Sequence, residues 1–147
     1  MPKLDRKVLL NMPVDKVYNI LNDFLGLPIW NIVVSEASEI EKDVYFFKTN
    51  VGDVTNYVIE NVPNERMTSR QEGDTPMQKI GYIFDPKGDQ VEVTLWTEYE
   101  LEDQESVLEI AAEMFLKSLK VYVEHILSGG DPKTYKKRFG KINKATL

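Results

Sequence analysis

Between Gln104 and Leu127 the chain reads as one long helix that is apolar around most of its circumference. Its polar residues Glu109, Glu113, Lys117, Lys120 and Glu124 fall in one narrow stripe, with Glu113 and Lys117 at the favourable i, i+4 spacing. Val107, Leu108, Ile110, Ala111, Met114, Phe115, Leu119, Tyr122, Val123 and Ile126 occupy the rest. A helix this apolar must be covered on more than one side. Asp103 is placed to cap its start, and Gly129, Gly130 and Pro132 supply a stop. The economical cover is the concavity of a strongly curved antiparallel sheet. One helix seldom fills such a bend, so an apolar gap is expected beside it.

The sheet is legible upstream. Turn signals at Glu41-Lys42-Asp43, Gly52-Asp53, Pro63-Asn64, Gly73-Asp74-Thr75-Pro76 and Asp85-Pro86-Lys87-Gly88 recur about every ten to twelve residues, the rhythm of consecutive hairpins. They delimit strands 32–40, 44–51, 54–62, 65–72, 77–84 and 90–101, and residues 3–11 read as a first strand. Asp85, Pro86 and Gly88 match the first, second and fourth places of a type I turn. On the last strand Val91, Val93, Leu95, Thr97, Tyr99 and Leu101 share a face, which leaves Trp96 on the polar one. Ile80, Tyr82 and Phe84 share a face, as do Thr55, Tyr57 and Ile59. Phe47 and Phe46 compete for the inward place on 44–51.

Between the first strand and this series, Pro13 opens a short helix with Val14, Val17, Tyr18 and Leu21 on one face. Gly26 and Pro28 then break the run DFLGLPIWN into a pair of short helices. Trp30 is aimed at the gap between sheet and long helix, where it either lines the gap or fills it.

A chain of 147 residues is one domain by length, able to bury roughly 70% of its unfolded surface. With no cysteine and one histidine, His125, disulfides, thiolate chemistry, a His-rich metal site and a His-based triad within one chain are excluded. No metal and no cofactor are expected. The start MPKLDRKVLL has no signal-peptide hydrophobic region and no run reaches membrane length, so a cytoplasmic protein with no integral membrane segment is expected. The net charge of −6 is divided unevenly. Residues 1–127 hold 12 Lys/Arg against 23 Asp/Glu, whereas 128–147 hold six basic residues against Asp131. An acidic body opposes nucleic-acid binding, which needs a basic face. Residues 1–128 are therefore read as the domain and 129–147 as a basic tail, either folded back on the acidic body or bound to an unidentified partner. Tyr135 and Phe139, spaced i, i+4, form a helical turn able to dock on Trp96; the alternative for Trp96 is a bulge that shifts its strand.

Catalytic patterns are absent: no GxGxxG, Walker loop, HExxH or GxSxG occurs. Glu98, Glu100 and Glu102 oppose the apolar face and read as solvated, and His125 reads as an ordinary helix residue; no catalytic residue is assigned. Arg66 and Arg70 share a face of 65–72. They serve either as a polar anchor for a carboxylate or phenolate or as an exposed basic edge paired with acids. The candidate lining set is Trp30, Phe47, Tyr57, Ile59, Tyr82, Phe84, Leu95, Tyr99, Met114 and Phe115, residues that a plain core uses equally well.

The order of strand KVLLN, helix VDKVYNILND, broken helix GLPIWN, six strands and the final EIAAEMFLKSLKVYVEHI resembles the helix-grip superfamily of Bet v 1-like, START and polyketide cyclase/dehydrase-like (SRPBCC) proteins. The resemblance implies an α+β fold in which a curved seven-stranded antiparallel sheet wraps a long C-terminal helix, with two short helices between strands 1 and 2. It implies a chamber between sheet and helix that takes a hydrophobic or amphipathic small molecule. Three functions follow as expectations: binding or transport of such a molecule, cyclase/dehydrase-like proton transfer in the same chamber, or a protein-interaction module with a filled core.

Overall fold

The computed structural model describes residues 2–50 and 52–137. Strands β1 (Lys3–Leu10), β2 (Val34–Glu41), β3 (Val44–Thr49), β4 (Gly52–Val62), β5 (Arg66–Gly73), β6 (Met77–Lys87) and β7 (Gln90–Tyr99) form one antiparallel sheet in the order β1-β7-β6-β5-β4-β3-β2. Helices α1 (Val14–Asn22) and α2 (Leu27–Trp30) separate β1 from β2, and α3 (Glu105–Leu127) follows β7. This is the α+β helix-grip arrangement read from the sequence. Leu108, Ala112 and Leu116 of α3 pack on Ile80, Leu95 and Tyr99 of β6 and β7.

Two ends differ from their expected chemistry. The β6–β7 turn is not Asp85-Pro86-Lys87-Gly88: the strands continue through Pro86↔Val91 and Lys87↔Gln90, so Gly88 and Asp89 make the turn. Gly88 has φ 69°, which suits the first central place of a two-residue hairpin. Pro86 is tolerated because β5 pairs with β6 only as far as Ile83, so its missing N–H faces no neighbouring strand. At the start of α3, Asp103 lies inside a 3₁₀ turn, Glu102–Gln104, and Gln104 takes the N-cap place without a side-chain bond. The stop is as expected. Gly129 has φ 87°, and its N–H donates to Ile126 O at 3.0 Å while Gly130 N–H donates to His125 O at 2.9 Å. This is a Schellman closure.

Among the described residues, Trp96 is covered neither by the tail nor through a bulge. Its register opposite Gly81 is regular, and the indole lies over that glycine, where a Cβ would collide with the ring. Lys3 Nζ sits 4.6 Å from the ring centroid. Tyr135 instead packs against Tyr122 and His125, with ring centroids at 5.0 and 4.9 Å. Lys137 Nζ donates to Asn31 O at 3.0 Å and Val34 O at 2.8 Å, and burial lowers its pKa. Phe139, the other half of the expected docking turn, lies outside the described residues. Among the described residues, no tail lysine forms an ion pair with the acidic body; ring contacts and Lys137's carbonyl bonds hold this segment.

Thr97 stands on the core face of β7, 1% exposed, and its hydroxyl has no partner among the described residues. A buried hydroxyl without a bond is a net penalty. Thr97→Val keeps the shape and removes the penalty, so it is expected to raise stability by about 1 kcal/mol. Urea unfolding of the two proteins measures this, and a loss of stability would count against an unsatisfied hydroxyl there.

Candidate functional site

The sheet bends away from the N-terminal half of α3 and leaves a chamber of about 370 Å³. Its floor is the inward face of the sheet: Phe47 and Thr49 of β3, Val54 and Asn56 of β4, Met67, Ser69 and Gln71 of β5, and Met77, Ile80 and Tyr82 of β6. Its roof is α3, through Val107, Leu108, Ile110, Ala111, Met114 and Phe115. Leu21, Phe24, Leu27, Val33 and Val34 close the α1–α2 side, and Asn50 with Asp74-Thr75-Pro76 completes the lining. Val107 is 64% and Ile110 49% exposed. The apolar excess of the long helix is thereby accounted for: one face meets the sheet, and the other faces open space.

Four of the ten lining candidates meet there. Phe47, Tyr82, Met114 and Phe115 all line the chamber, and Phe47 rather than Phe46 takes the inward place on β3. Phe84, Leu95 and Tyr99 face the same way but are buried in solid core, Phe84 edge-on to Tyr18 at 5.9 Å. Trp30 does not line the chamber. It is 2% exposed, stacked on Tyr122 at 6.3 Å and edge-on to Phe115 at 6.5 Å, so it fills the space between α2 and α3.

On β4 the expected inward face is reversed, and on β5 the second of the two readings for the arginines holds. Val54 and Asn56 point inward, which sends Tyr57 to the outer face, and Ile59 is 53% exposed at a register shift between Val58 and Glu60. Arg70 stacks over the Tyr57 ring at 4.1 Å and pairs with Glu72. Arg66 pairs with Glu60 at 3.0 Å and Glu65 at 3.6 Å. Both arginines therefore form the exposed basic edge and anchor nothing in the chamber. The outer face carries the more apolar alternation of β4 because this guanidinium–carboxylate cluster covers Tyr57.

What the inner face carries instead is a short polar stripe. Gln71 Nε2 donates to Asn56 Oδ1 at 3.0 Å, and Asn56 Nδ2 donates to Ser69 Oγ at 3.0 Å. Asn56 and Gln71 are direct cross-strand partners, and Met67 is the partner of Tyr82, so Ser69 and Tyr82 are diagonal neighbours. Sequence periodicity missed these three polar residues. Their signal was the alternation of Met67, Ser69 and Gln71 against Arg66, Thr68 and Arg70.

Ionisable groups are scarce in the chamber. Among the described lining residues they are Asp74 and Tyr82. Asp74 is exposed, and its Oδ2 accepts from the Asp53 N–H at 3.0 Å. Burial pushes the Tyr82 phenol well above its ordinary value. His125 lies elsewhere, its Nε2 3.0 Å from Asp131 O. No group of three metal-ligating side chains occurs among the described residues, and no described helix is long and apolar enough to cross a membrane.

Burial also raises the phenols of Tyr45, Tyr99, Tyr122 and Tyr135 above 10.0. A group raised in the folded state contributes stability that is complete below its unfolded value and lost as pH rises through its folded value. Unfolding free energy is therefore expected to fall steadily above about pH 10. Tyr82→Phe removes one such phenol and should flatten that decline, measured by urea titrations across the alkaline range; an unchanged slope would contradict a protected Tyr82.

No family model matches this sequence, and no curated protein does. Solved structures do. A START superfamily protein from Mycobacterium smegmatis aligns with TM-score 0.71 at 15% identity, over 84% of this chain and 98% of that one. The Zhui aromatase/cyclase from a Streptomyces aligns with TM-score 0.71 at 16% identity, over 88% and 99%. The di-domain ARO/CYC protein BexL gives TM-score 0.76 at 18% identity over 86% of this chain, which spans about half (48%) of BexL. At these identities the likeness establishes a START-like fold.

Proposed function

We propose that this protein binds a hydrophobic or amphipathic small molecule in the chamber between its sheet and α3, with Phe47, Met67, Tyr82, Met114 and Phe115 in contact with it. The observation that carries the reading is the chamber itself: about 370 Å³, walled largely by apolar side chains and roofed by a helix face that no described protein group covers. That volume lies within the ordinary range of small-molecule sites. A filled-core interaction module would leave no such space. START and aromatase/cyclase neighbours support the placement of a ligand in this fold.

The cyclase/dehydrase alternative needs a group that takes and gives protons inside the chamber. The described lining offers Asp74 at an exposed position and a phenol held neutral by burial, which favours holding over transforming. Native mass spectrometry of freshly purified protein is the test. A co-purifying mass released by organic solvent is expected; a clean apo mass together with no binding of the neutral fluorophore N-phenylnaphthylamine would overturn the reading.

A further inference from the structure

Resting on that reading, we infer that the chamber selects uncharged ligands bearing a carbonyl or hydroxyl oxygen, and that Asn56, Ser69, Gln71 and Tyr82 read that oxygen.

The stripe is a directed chain: the Gln71 amide donates to Asn56, and Asn56 donates to Ser69. Each link uses one capacity of its side chain and leaves another. Ser69 accepts from Asn56, which leaves its own O–H to donate, and Gln71 Oε1 remains an acceptor. Asn56 is 2% and Ser69 7% exposed, so their remaining capacity has little bulk water to turn to. Tyr82, diagonal to Ser69 on the neighbouring strand, adds a second O–H with no protein partner among the described residues. Two hydroxyl donors from neighbouring strands of one chamber wall suit a carbonyl oxygen, and the amide acceptor suits a hydroxyl. Hydrogen-bond chains of this polarity strengthen the terminal donor.

The same lining is unsuited to ions. No described residue of the chamber carries a positive charge, and Arg66 and Arg70 are committed to carboxylates on the outer face. A carboxylate or phosphate brought inside would lose its hydration with no counter-ion. Asp74 at an exposed position and the net charge of −6 oppose its approach as well. An ammonium fares little better, because Asp74 is solvated and already accepts from the Asp53 amide.

The full chain is titrated with N-phenylnaphthylamine, and the probe is then displaced by naphthalene, acetonaphthone, naphthoate and naphthylmethylammonium near neutral pH. Acetonaphthone is expected to displace it at about three- to tenfold lower concentration than naphthalene. Both ions should be at least about tenfold weaker than the ketone. In Asn56→Leu the advantage of the ketone over naphthalene should vanish. Ser69→Ala, which removes one atom and one donor, should halve it or more and serves if the first variant does not fold. Equal competition by all four compounds, or naphthoate matching the ketone, overturns this selectivity while leaving the chamber reading standing. Failure of the probe to bind at all overturns both.

Discussion

Trp30→Ala is expected to be the most destabilising single substitution among these residues, with a loss of about 3–5 kcal/mol. The indole is 2% exposed and wedged between two rings of α3, Tyr122 and Phe115. Around it converge three separate ties: Ile32 N–H donates to the buried Ser118 Oγ at 3.3 Å, Asn31 Oδ1 accepts from Val33 N–H at 3.0 Å, and Lys137 holds the carbonyls of Asn31 and Val34. These bonds hold the backbone around the site, so the cavity cannot collapse cheaply, and the cavity penalty adds to the transfer term. The thermal midpoint should fall by roughly 10 °C or more. Trp30→Phe keeps a ring against Tyr122 and should lose less than half as much. A loss for Trp30→Ala below about 1 kcal/mol is what a side chain merely lining an open chamber would give, and it would reverse the assignment of Trp30 as core.

The gap between those two roles for Trp30 marks where sequence reasoning stops. Element order was legible because its signals are local: Gly129 and Gly130 stop α3 wherever the helix is docked, and Asp43 and Asn64 adopt positive φ of 64° and 65° in their hairpins, a conformation that Asp and Asn tolerate. The inward face of β7 was equally legible, since it packs against α3 with no space between and alternation reports burial directly. On β4 the same logic inverted. Alternation assumes that the more apolar face is the buried one. A chamber relaxes that condition, because a wall facing space can carry Asn56, Ser69 and Gln71, while the outer face covers Tyr57 with Arg70 and Glu72. Asn56, Ser69 and Gln71, the residues that most distinguish the site, thus entered none of the sets that periodicity proposed. The β6–β7 turn failed for a related reason: Pro86 ends a strand only where a neighbour needs its N–H, and β5 has already stopped.

On α3 the sequence did carry the answer, in a form that only the structure makes specific. The C-terminal half has its apolar surface covered by α2 and by Tyr135, whereas Val107, Ile110, Ala111 and Met114 in the N-terminal half face the chamber. Ala111 is the small residue in that roof, and Ala111→Trp is expected to fill the space below it and lower N-phenylnaphthylamine affinity by more than tenfold. The added indole enters existing volume rather than packed core, so the usual strain of small-to-large substitution does not apply. Stability should be unchanged or higher by up to about 1 kcal/mol from the apolar area it buries. This pairing of lost binding with retained stability separates occupation of the chamber from general damage. A variant that melts normally and still binds the probe with undiminished affinity would place the probe elsewhere, on the exposed apolar residues of the surface. Ile110→Trp, whose position is 49% exposed, provides the graded control: it should weaken binding less than Ala111→Trp, because its ring has solvent to turn into.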